Sequence, residues 1–176
     1  MRKLMFLLFV LLGGAVFVSS CHKDKNQYMM GNQNFVTQAS SSNSLEIAAG
    51  NLAVSHGLND SVKMFGNHMI TDHGKAATEM TALASRKGWT IPNSLLQKDQ
   101  ANLDSLTALT GAAFDKKFAA IMVNSHQQTI SLFQTASSSS GVPDADLRNF
   151  AAGKLPTLRM HLADALALQA YVNLNE

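Results

Sequence analysis

Apolar residues recur every three or four positions along most of the chain, and no stretch alternates strictly between apolar and polar. That period is helical, and it predicts four long helices and no strand. The first covers about residues 34–58, with Leu45, Ala48, Ala49, Leu52 and Ala53 on one face and Gly57 and Asn59-Asp60 at its end. The second, 61–87, is capped by Asp60 and carries Val62, Phe65, Met69, Ala76, Met80 and Leu83 in register. Gly88 stops it, and Ile91-Pro92 follows the break. Ser94 and Gln97 have the spacing of a capping box for a shorter helix reaching about Leu109. The third long helix begins near Ala112 and carries Phe114, Phe118, Ile121, Met122, Leu132 and Phe133, until the serines at 137–140 end it. Asp144 is placed to cap the fourth, marked by Leu147, Phe150, Leu158, Leu162, Ala165 and Leu168. Pro156 inside that helix predicts a kink or a restart.

Four amphipathic helices of similar length bury their stripes most simply against one another. The expected fold is therefore all-α, an up-down four-helix bundle with a short extra helix between long helices 2 and 3. That connection is where a ferritin-like bundle places its crossover.

The first twenty residues follow a different rule. Arg2 and Lys3 precede an apolar run from Leu4 to Val18 that is short for a membrane span but suits a secretory leader. The run closes on Val18-Ser19-Ser20-Cys21, which resembles a bacterial lipobox. The resemblance implies that Cys21 is acylated and becomes the N-terminus of a lipoprotein, with enough acyl chains for stable anchoring. His22 follows, where Asp would signal inner-membrane retention, so the expectation is an outer-membrane lipoprotein facing the periplasm. The divisions are then 1–20 signal peptide, 21–33 acylated Cys and polar tether, and 34–176 helical domain.

Removing the leader changes the charge picture. The 176-residue chain has 14 basic and 12 acidic side chains, and loss of Arg2 and Lys3 leaves 12 of each. With no basic stripe and one Trp and two Tyr for stacking, nucleic acid is not an expected partner. The membrane, through the lipid anchor, is the expected one; no feature points to a particular protein partner. The single Cys, consumed by acylation, leaves no thiol nucleophile, and there is no G-x-S-x-G turn or glycine-rich phosphate loop. Nothing in the sequence names a reaction.

The polar residues inside the apolar stripes carry the candidate chemistry. On a wheel of about 100° per residue, His73 falls in the centre of its stripe, His126 and Glu46 at the edges of theirs, and His161 among Leu158, Leu162 and Ala165. All four lie within about three residues of their helix midpoints, roughly 5 Å of rise. Four ligand-type residues thus share one layer of the core. Three imidazoles and a carboxylate projecting inward suit a transition-metal ion such as zinc, iron or copper. Asp72 or Asp115 would orient an imidazole from behind the ligands. The rival reading is a non-catalytic envelope module in which the same residues form a buried polar network without metal.

The order and spacing of several stretches resemble the bacterial family called domain of unknown function 4142, a ferritin-like group. They are EIAAGNLA from Glu46, VKMF from Val62, MITDH ending at His73, Gly88 with Pro92, GAAFD from Gly111, His126, Leu155-Pro156, and His161-Leu162. The resemblance implies a ferritin-like four-helix fold in an exported, often lipid-anchored protein, and no established activity. A ferritin-type di-iron centre is built on paired E-x-x-H motifs, and this chain has none. Ferroxidase and iron storage are not expected, and a mononuclear site fits the ligand set better.

Overall fold

The computed structural model describes residues 28–175; the leader, Cys21 and most of the tether lie outside the described residues. The described secondary structure is all helical, in five helices: α1 (Asn32–His56), α2 (Asp60–Lys87), α3 (Gln97–Thr107), α4 (Gly111–Ser137) and α5 (Ala145–Asn175). None of these helices is long and apolar enough to cross a membrane.

The buried residues form two apolar clusters, one toward each end of the long helices. One joins Ala49 and Ala53 of α1, Val62 to Met69 of α2, Phe114 to Val123 of α4, and Ala165 to Val172 of α5. The other joins Phe35 to Ala39 of α1, Met80 and Leu83 of α2, Phe133 and Ala136 of α4, and Leu147 to Leu158 of α5. Each long helix runs from one cluster to the other, so its direction can be read directly. α1 and α5 run one way, and α2 and α4 the other. α1 packs on α2 and α4, while α5 packs on α4 and α2, so each long helix has antiparallel neighbours. A simple up-down chain order would set α4 against α2. Instead the connection holding α3 crosses the molecule and starts α4 in the same direction as α2.

The α1–α2 turn is built by side chains. The Asn59 carbonyl oxygen Oδ1 accepts from the Ser61 N–H at 2.9 Å, so Asn59, and not Asp60, caps α2. Asp115 of α4 accepts from the N–H groups of Leu58 and Asn59 at 3.0 and 2.8 Å, which ties the turn to the start of α4. α1 and α2 pass close enough that a Cβ on Gly66 would sit 2.8 Å from the Gly50 carbonyl oxygen. α2 ends at Gly88, whose φ of 72° is the left-handed conformation glycine accepts without strain.

Two local expectations are revised. The capping box at Ser94 does not form, because α3 starts at Gln97 with no side-chain cap. Ser41 of α1 fixes that start instead: its hydroxyl accepts from the Leu96 N–H at 2.8 Å and donates to buried Asp99 at 2.5 Å. α5 also runs through Pro156 without a restart. Pro156 and Ala152, whose carbonyl loses its helical partner, are both exposed, so water can meet that carbonyl. Asp144 does cap α5, accepting from the Leu147 N–H at 3.0 Å.

Candidate metal centre

Between the two apolar clusters lies a polar layer. His73 continues the buried stripe Phe65, Met69 of α2; His126 stands between Met122 and Phe133 of α4; and His161 between Leu158 and Ala165 of α5. Helical spacing alone turns all three inward. Their exposures are 4%, 0% and 2%, and Glu46 of α1 is fully buried beside them. The ring centroids make a nearly equilateral triangle, with sides of 5.6 Å (His73–His126), 5.3 Å (His73–His161) and 5.5 Å (His126–His161).

The partner of each ring determines its tautomer. Asn43 of α1 donates its amide N–H to the His73 carbonyl at 2.9 Å, which leaves its oxygen to face His73 Nδ1 at 3.0 Å. A Glu46 oxygen, Oε2, lies 3.0 Å from the same nitrogen. Both are acceptors only, so Nδ1 carries the proton. That N–H aims at Asn43, so Oε2 makes a charge contact and keeps capacity for a further donor. His126 Nδ1 donates to the Met122 carbonyl at 2.8 Å, and His161 Nε2 to an Asp72 carboxylate oxygen at 3.2 Å.

The other ring nitrogens, His73 Nε2, His126 Nε2 and His161 Nδ1, are buried without a hydrogen-bond partner. One nitrogen from each of the three residues lies within 4.8 Å of the other two. Each of three clustered rings therefore keeps one buried lone pair without a donor, an arrangement a cation resolves. Tetrahedral coordination at 2.0–2.1 Å would bring the nitrogens to roughly 3.4 Å apart.

Electrostatics around the layer follow from burial and charge together. Burial alone would raise the Glu46 carboxyl. The His73 and His126 rings close to it and the hydrogen bond from Ser125 outweigh burial and hold it down at about 2. Burial disfavours the charged His73 ring, yet Glu46 beside it raises its pKa overall. His161 is lowered, by burial and by repulsion from His73 and His126, against the pull of Asp72. Asp72 itself is lowered: burial opposes ionisation, but the bonds from His161 and Lys75 prevail.

The four-ligand layer read from the sequence thus resolves into two tiers. His73, His126 and His161 converge. Glu46 stands at the same height but behind His73, one oxygen at Nδ1 and the other accepting from Ser125 at 2.7 Å, outside the convergent group. Asp72 holds His161 as an orienting carboxylate would. Asp115 corrects the expectation. It holds the α1–α2 turn, roughly 16 Å along α4 from His126. Asn43 was missed, although it lies three residues before Glu46 and so on the same face of α1.

Fold and site together define an all-helical protein with a buried cluster of three imidazoles. The chain belongs to the family described as a domain of unknown function (DUF4142), which matches residues 19–168. Among solved structures it is similar to one titled "CopM in the Cu(II)-bound form", with a TM-score of 0.55 and 15% identity over 77% of this chain and 97% of that one. At that identity the likeness speaks for the fold. No curated protein matches the sequence.

Proposed function

We propose that the protein binds one transition-metal ion through His73, His126 and His161, with Asn43 and Asp72 orienting two of the rings and Glu46 in charge contact behind His73. One observation carries this reading: three buried imidazoles bring ring nitrogens within 4.8 Å of one another, and each ring has one nitrogen fixed as a donor and the other unpartnered. Neutral imidazoles suit copper, zinc and iron alike. Copper is the first ion to test, because the similar solved structure is of a copper-bound protein. The helix directions, with the crossover between α2 and α4, support a ferritin-like four-helix arrangement, while the ligand set supports a mononuclear site. The leader and lipobox support an outer-membrane lipoprotein facing the periplasm, tethered through Cys21. Its role there is to hold or hand on the ion rather than to turn over a substrate.

The rival, a metal-free polar network, draws on the Glu46 contacts to His73 and Ser125. It gives the three inner nitrogens nothing to bond. Metal content decides between the two readings. Residues 22–176, exported to a periplasm and purified without chelator or affinity histidines, should carry about one ion per chain by plasma mass spectrometry. His73→Ala, with unchanged helix content by circular dichroism, should carry almost none. A wild type that stays empty and refuses added copper, zinc and iron would sink the metal reading.

A further inference from the structure

The buried polar atoms without partners are not scattered. Among the described residues they belong to Ser40, Glu46, His73, His126, Thr129 and His161. All of these except His126 line one cavity of about 260 Å³, walled chiefly by α1, α2 and α5. Thr129, 4% exposed, contributes a hydroxyl that neither donates nor accepts within the protein. Beyond this polar floor the walls are apolar, from Met80, Phe133, Phe150 and Leu158. Outward, Lys154 of α5 pairs with Glu79 of α2 across the gap.

A metal held by three imidazoles keeps a fourth position open. Two of its ligands, His73 and His161, form part of the cavity lining, so that position borders the cavity. The volume is far more than one water's share of about 30 Å³. The floor also selects the head group of an occupant. Glu46 Oε2 wants a donor, and the metal wants a lone pair. A neutral azole has both features, a lone-pair nitrogen and an N–H.

We propose that this cavity binds a small apolar molecule with a neutral azole-type head, whose nitrogen takes the metal's open position while its body lies between α2 and α5. The proposal rests on the metal reading above, and the test separates the two. Cobalt(II) is loaded and its content measured, then imidazole and 4-phenylimidazole are titrated while the cobalt visible absorption is followed. Both should shift the spectrum, with the phenyl compound binding about 30-fold tighter because its ring is buried against the apolar walls. Ala76→Phe, which fills the cavity from α2, should remove that advantage while keeping the cobalt content and the response to imidazole. If that variant does not fold, Thr157→Phe on the exposed rim of α5 serves the same purpose. Equal affinities for the two compounds would mean a water-filled cavity only and overturn the proposal. So would a phenyl advantage that survives the filled cavity. Cobalt-loaded protein that ignores both compounds overturns the pocket and leaves the metal site standing; protein that takes up neither cobalt nor copper, zinc or iron overturns both.

Discussion

Each imidazole of the cluster is held at the nitrogen that points away from its neighbours, by an amide oxygen, a backbone carbonyl or a carboxylate. Those outer contacts fix tautomer and aim, so they should tune metal affinity without governing the fold. Asp72→Asn removes the charge behind His161 and keeps the shape. It should weaken copper binding by about tenfold or more in competition with a chromophoric chelator, with little change in melting temperature. Asp115→Asn should do the reverse, lowering stability through the α1–α2 turn and leaving affinity unchanged. Equal affinities for wild type and Asp72→Asn would show that Asp72 does not orient the ring. At this scale the sequence was informative about angle and height, since 100° and 1.5 Å per residue put His73, His126, His161 and Glu46 in one inward layer. It could not show which ring nitrogen faces the centre, because that depends on partners brought from other helices. Asn43 and Glu46 reach His73 only once α1 lies against α2.

The helices were legible where their stop signals are local and less so where tertiary contacts set the ends. Gly88 ends α2 and Asp144 starts α5, both readable from residue type. The start of α3 depends on Ser41, 55 residues away from Leu96 along the chain, and no local pattern announces it. Asp144 also supports a dated test of α5. Burial would raise its carboxyl, but Lys87 and the N–H groups of Leu147 and Asp146 hold it below the usual 3.8. A carboxyl lowered on folding stabilises the native state above its unfolded value, and that contribution is lost as pH falls through the folded one. Asp144→Ala should therefore lower stability by about 1 kcal/mol at pH 7, the usual worth of an N-cap. The difference from wild type should shrink as the pH falls below 3.8. Urea denaturation of both proteins at neutral and acid pH measures it, and a difference that stays constant would rule out the ionised cap as its source.

Across the whole molecule, the histidine layer separates two apolar clusters that share the four long helices but not their buried side chains. A metal at that layer would join α2, α4 and α5 at mid-height. Binding only to the folded state should add about 2.7 kcal/mol at a free concentration 100 times Kd. For a domain of this size that is a rise of about 5–10 °C in melting temperature. Calorimetry with and without copper should show the rise in wild type and none in His73→Ala; an equal rise in both would place the ion elsewhere. The direction of α4, parallel to α2, could not be read from periodicity, which is the same for a helix running either way. The residues just before α1 carry a consequence of another kind. The N–H groups of Met29 and Met30 donate to the carbonyls of Ser140 and Gly141 at 2.8 and 3.0 Å. A pull on the chain from its N-terminal side is therefore borne first by the loop between α4 and α5, and the first turn of α1 is spared the load until those two bonds part.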